Sequence, residues 1–121
     1  MACDVEFVNE FGEWWDGLTE DEQDSVDFGV GLLIEYGVAL GYPYSSQVKG
    51  SKHNHMRELR IQHQGKPYRV LYAFDPLRAA ILLLGGDKSG KDNWYVENVP
   101  VADARYDAHL ETLKLEGLLK K

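Results

Sequence analysis

The stretch "MRELRIQHQGKPYRVLYAFDPLRAAILLL", residues 56–84, reads as three strands joined by two tight turns. Along 56–63, Leu59 and Ile61 share one face while Glu58 and Arg60 share the other, because successive strand side chains point to opposite sides. Along 68–75, Tyr68, Val70, Tyr72 and Phe74 stand opposite Arg69, Leu71 and Ala73. Residues 79–84 are apolar throughout, as a buried strand is. The turns fall at "QGKP" and "DPLR", so the spacing predicts an antiparallel meander.

Two arginines inside this sheet need a reason, since an unpaired buried charge is expensive. A sheet covered by helices on one face leaves its other face free, and there Arg60 and Arg69 converge from neighbouring strands. Cross-strand ion pairing with Glu58 or Asp75 satisfies the same pattern, and the pattern alone favours it.

The flanking sequence supplies the helices. "VEFV" (5–8) alternates as a short first strand, and of the adjacent Trp14 and Trp15 one is expected to pack inward. Thr19 followed three residues later by Glu22 forms a capping box, with Glu20, Asp21 and Asp24 complementing the helix dipole. Val26, Val30, Leu33 and Ile34 make the helical stripe, and Gly37 stops it. Gly29 and Gly31 weaken that helix unless another element packs closely there. Residues 38–55 read as a connection with one short helical turn, 85–93 ("GGDKSGKDN") as a glycine-rich loop, and "WYVENV" as an extended piece. Asn98 and Pro100 are expected to open a final helix carrying Ala102, Tyr106, Leu110 and Leu113 on one face. The result is an α+β fold: an N-terminal helical segment and a C-terminal helix packed on an antiparallel sheet of 3–5 strands, forming one domain over 1–121.

Composition fits one folded domain. The chain has 121 residues, 44% of them hydrophobic, with three Trp, seven Tyr and four Phe. A single cysteine, Cys3, excludes an internal disulfide and fits a reducing compartment. "MACDVEFVNEF" has neither the basic nor the apolar region of a signal peptide, and no apolar run approaches membrane-spanning length. A cytoplasmic location is expected.

The net charge of −7 conceals a strong asymmetry. Residues 1–47 hold eleven Asp or Glu and no Lys or Arg, whereas residues 48–91 hold nine basic residues and three acids. It is this local potential that steers a polyanion. The basic set comprises Lys49, Lys52, Arg57, Arg60, Lys66, Arg69, Lys88 and Lys91. Other chemistries lack a signature. "GGDKSG" has neither the nucleotide-binding GxxxxGK[ST] nor the GxGxxG spacing. His53 and His55 have no acidic or Cys partners nearby in sequence to complete a metal site.

In order along the chain, "KGS", "ELR", "YRVLYAFDP", an apolar strand and "LLGGDKSG", with "PVADARYDAHL" near the end, resemble the phage-derived branch of HigB-like toxins in the RelE/ParE superfamily. The resemblance runs from about Val5 to Leu113. It implies a RelE-like fold with the active site on an open sheet face. It implies a toxin of a type II toxin–antitoxin system, an endoribonuclease acting on translated mRNA at the ribosome. No metal and no cofactor is implied, and the partner is a helix-turn-helix, HigA-like antitoxin. The chain departs from that pattern in being acidic overall and in ending a strand with "LGGDK".

Metal-free RNA cleavage uses the 2′-OH against the adjacent phosphate, so the protein must neutralise a phosphorane and move two protons. Arg60 and Arg69 match the arginines of "ELR" and "YRV" and are the phosphate-clamp candidates, because a planar fork grips phosphate oxygens. Lys88 adds charge or donates a proton. Lys49, Lys52, His53 and Lys91 are candidate RNA contacts, and Trp94 or Tyr95 a candidate base-stacking ring. For the general acid and base, Tyr95, His53 and Lys88 compete. A ParE-like inhibitor of a protein target such as DNA gyrase, and an inactive relative that only binds its antitoxin, remain open alternatives.

Overall fold

A computed structural model describes residues 3–119. Met1 and Ala2 of the stretch weighed as a leader, and the C-terminal Lys120 and Lys121, lie outside them. The chain runs β1 (Val5–Phe7), α1 (Asn9–Asp16), α2 (Glu20–Tyr36), a short 3-10 turn (Gly37–Ala39), β2 (Ser45–Gln47), β3 (Arg57–His63), β4 (Lys66–Phe74), β5 (Ala80–Asp87) and α3 (Trp94–Leu115). One five-stranded sheet has the order β1-β5-β4-β3-β2. The meander of β3, β4 and β5 is antiparallel and sequential as expected. The sheet as a whole is mixed, because β1 pairs with β5 in parallel. β2, read as part of a connection, pairs antiparallel with β3. It is only three residues long, too short for alternation to register in the sequence.

Strand alternation divides the core into two layers. Leu59, Ile61, Tyr68, Val70, Tyr72, Ala80 and Leu82 pack against Phe11 of α1 and against Val26 and Leu33 of α2. Leu71, Ala73, Ile81, Leu83 and Leu84 pack against Trp94, Val99, Ala102 and Tyr106 of α3. Each buried Leu, Ile or Val contributes about 1.5–3 kcal/mol, so both layers are substantial. The large β4 residues do face α1 and α2, which leaves Arg69 on the opposite side. That side is not open, however. α3 crosses it and buries its centre.

α2 begins as the sequence predicts. Thr19 Oγ1 accepts from the Glu22 N–H at 3.2 Å, and the Thr19 N–H donates to Glu22 Oε1 at 2.8 Å. Gly37 ends the helix at φ +56°, a conformation open to glycine. Gly29 is where β3 comes close: a Cβ there would stand 3.0 Å from the Ile61 side chain, whereas Gly31 faces open space.

Residues 85–87 continue β5 rather than opening a loop. An irregularity opposite Leu71 and Tyr72 resets the alternation, so Leu83 and Leu84 both face α3. Gly85 then lies beneath Trp14 and Gly86 beneath Trp94. A Cβ at Gly85 would overlap the Trp14 ring, and one at Gly86 would stand 3.1 Å from the Trp94 indole. The two glycines therefore seat one indole on each side of the sheet. The "WYVENV" segment is likewise helical: α3 starts at Trp94, and Pro100 sits inside it rather than at its start. The carbonyl four residues before Pro100 belongs to Val96, which is exposed and can bond to water.

Candidate active site

At the amino end of α3 the sheet face carries a charged cluster. Arg60 of β3 and Arg69 of β4 are direct cross-strand partners, an arrangement that is destabilising for like charges on their own. Glu58 resolves it. As residue i−2 of Arg60 on the same face of β3, its carboxylate lies between the two guanidinium groups. Oε2 accepts from Arg60 Nη1 at 3.3 Å and from the Ser46 hydroxyl at 2.7 Å. Oε1 accepts from the Tyr95 hydroxyl at 2.5 Å and lies 3.5 Å from Arg69 Nε. Glu58 and Arg69 are only 4% and 5% exposed, whereas about 30% of the Arg60 side chain is open to solvent.

Arg69 is incompletely satisfied. Its Nη1 donates to the Tyr68 carbonyl at 3.0 Å, but its buried Nε has no hydrogen-bond partner among the described residues. At 3.5 Å from Glu58 it feels the carboxylate charge without the alignment of a hydrogen bond. Lys88, just past β5, donates its backbone N–H to the Pro67 carbonyl at 3.0 Å, and its ammonium lies 5.7 Å from the centre of the Tyr95 ring. Two guanidinium groups thus flank one carboxylate, and the Lys88 ammonium stands beside the Tyr95 ring that bonds to it, a surplus of cations suited to an anion. Burial, reinforced by the hydrogen bond to Glu58, pushes the Tyr95 phenol above its ordinary pKa, while Arg69 opposes the shift. The phenol carries its proton at neutral pH.

The other residues singled out in the sequence are elsewhere. Trp94 is 4% exposed and seated on Gly86, which leaves it no face for a base. Lys91 lies exposed in the turn leading into α3, and Lys49 is exposed beyond β2. Lys52 and His53 both pair with Asp107 in the middle of α3, His53 Nε2 at 2.8 Å. The His53 ring packs edge-on against Tyr106 at 4.7 Å. Tyr106 lies eleven steps along the helix from Tyr95, about 16 Å along the axis, so His53 does not join the cluster. Cys3 donates its thiol to the Leu33 carbonyl at 3.4 Å, and burial raises its pKa. That is an inert setting.

Sequence reasoning named Glu58 only as an ion-pair partner and did not name Ser46. Strand alternation carried the signal for Glu58. Ser46 carried none, because β2 was not legible.

The family model "Phage derived protein Gp49-like (DUF891)" matches residues 13–107. HigB2 of Mycobacterium tuberculosis, classed as a toxin, is 40% identical over 111 residues, covering 90% of this chain and 54% of its own length. The chain therefore spans about half of that relative. HigB3 of the same organism, also classed as a toxin, is 45% identical over 93 residues, covering 76% of this chain and 80% of its own length. A free-state structure of a doubly substituted Escherichia coli toxin RelE superposes with a TM-score of 0.59 at 14% identity, over 83% of this chain and 97% of RelE, a likeness of fold. The chain belongs to the phage-derived Gp49-like family and is HigB-like within it.

Proposed function

We propose that this protein is the toxin of a type II toxin–antitoxin pair and acts as a metal-independent endoribonuclease on translated mRNA at the ribosome. The observation that carries the reading is the convergence of Arg60 and Arg69 on one carboxylate that also holds the Tyr95 phenol, with Lys88 beside the Tyr95 ring. A scissile phosphate entering from the Arg60 side meets that guanidinium first and displaces part of its pairing with Glu58. The buried Arg69, with its unpartnered Nε, is then held ready for the phosphorane charge that grows in the transition state.

The Tyr95–Glu58 pair does the proton transfers. The carboxylate accepts the 2′-OH proton as the 2′ oxygen attacks phosphorus. The phenol gives its proton to the departing 5′ oxygen, and the proton on Glu58 then returns to Tyr95. The products are a 2′,3′-cyclic phosphate and a 5′-hydroxyl, and no water is consumed. Of the three groups competing for acid and base roles, Tyr95 and Lys88 stand at the cluster and His53 does not.

The inhibitory partner is a helix-turn-helix antitoxin of the HigA type that covers or distorts the cationic face, with charge complementarity speeding encounter. The test is induced expression followed by mapping of mRNA 5′ ends. Arg60→Ala is the cleanest variant, because its half-open side chain contributes little to the core. It should abolish cleavage and growth arrest with the fold intact. Growth arrest without new 5′ ends would replace this reading with a toxin directed at a protein target such as DNA gyrase. No binding to the product of any neighbouring gene would remove the antitoxin.

A further inference from the structure

Beyond Arg60 the surface continues in a direction the cluster does not use. Tyr42 is 77% exposed, and the Arg60 guanidinium carbon lies 5.2 Å from the centre of its ring. Packing against the protein therefore occupies little of the ring. Tyr44, two residues on, accepts the Arg60 backbone N–H at 2.8 Å, which ties this segment to the edge of β3. The order of groups across the sheet is Lys88 just past β5, Arg69 on β4, Arg60 on β3 and Tyr42 before β2, with Tyr95 of α3 reaching in to Glu58 of β3. Three strand spacings make about 14 Å, enough for more than one nucleotide.

We infer that Tyr42 is a base-stacking platform for the nucleotide adjoining the phosphate held by Arg60. This rests on the RNA-cleaving reading and extends it from a phosphate site to a single-stranded track running from Lys88 to Tyr42. The physical logic is that arginines bind the backbone and leave the bases without partners. A base turned away from its neighbours needs a flat surface, and an exposed ring already aligned by a cation supplies one. A tyrosine serving only to shield Arg60 would gain nothing from leaving its outer face in water.

The test uses the full chain with a short single-stranded RNA, alone or seated in the ribosomal decoding site. Tyr42→Ala, Tyr42→Phe and an RNA carrying one abasic position are compared for rate and affinity. Tyr42→Ala should weaken productive binding about 5- to 150-fold, and Tyr42→Phe should retain it. With the abasic position at the stacked nucleotide, wild type and Tyr42→Ala should become equal. If Tyr42→Ala weakens intact and abasic RNA alike, the ring merely positions Arg60, and the platform is wrong. If Tyr42→Ala behaves as wild type on intact RNA, the platform is wrong while the endoribonuclease reading stands. If wild type acts on neither form of substrate, both fall together. Unchanged thermal unfolding of Tyr42→Ala, expected for so exposed a residue, excludes loss of fold as the cause.

Discussion

α3 meets two clusters of charge on the basic central segment, and they are built on opposite principles. At its amino end, two arginines face a single carboxylate, Glu58, with Lys88 beside the adjoining Tyr95, and Glu58 and Arg69 are nearly excluded from water. Near its middle, Lys52 and His53 are matched by Asp107, while the buried Asp103 accepts from the Ser51 hydroxyl and the Lys52 N–H. Balanced charges at the surface hold a loop against a helix. An unbalanced, buried cluster keeps binding capacity in reserve. Residues that look alike in sequence as "basic segment" therefore divide into a latch and a candidate site.

The largest expected effect belongs to the unbalanced cluster. Arg69→Ala should lower mRNA cleavage by about two to three orders of magnitude, and Arg69→Lys should restore only part, since a point charge does not replace a fork. Because Arg69 also pairs with buried Glu58, the Ala variant should unfold at lower temperature as well. Full specific activity with reduced stability would reassign Arg69 to a purely structural pair and erase the contrast between the clusters.

Glu58→Ala leaves two guanidinium groups facing each other across the strands. A loss of about 3 kcal/mol in urea unfolding is expected, in the range for breaking a buried pair; a loss indistinguishable from zero would mean the arginines repel little and the cluster is not frustrated. In the latch, Asp103→Ala should remove about 1–3 kcal/mol and leave the cleavage rate alone. Reduced cleavage would join the two clusters into one site.

pH sharpens the comparison further. Hydrogen bonds and charge from Lys52 and His53 hold the Asp107 carboxyl below its ordinary pKa. A depressed carboxylate stabilises above its unfolded pKa and loses that contribution as pH falls through the folded value. Acidification should therefore release the 49–55 loop first, seen as faster amide exchange there while α3 stays protected. Outside both clusters, the hydrogen bond to Glu22 followed by burial pushes the Tyr68 phenol up to about 12. A raised phenol contributes stability below about pH 10 that is lost as pH rises through about 12. Ultraviolet titration should show a late-ionising component that shrinks by one tyrosine in Tyr68→Phe.

Local chemistry was strong enough to specify several parts of this protein from the sequence. Period-two alternation defined β3 and β4 and put Glu58, Arg60 and Arg69 on one face. The Thr19–Glu22 box and Gly37 set the limits of α2, because caps depend on residues a few positions apart. Tertiary structure decided what depends on distant atoms. The Gly85–Gly86 pair looks like a loop until two indoles press on it from opposite sides. α1 and β2 are too short to announce themselves, and a parallel β1 requires a partner more than seventy residues away. Above all, whether Lys52 and His53 join Arg60 or Asp107 depends on where α3 crosses the sheet. That crossing is fixed by long-range packing of Trp94, Val99, Ala102 and Tyr106, and charge pairs follow from position.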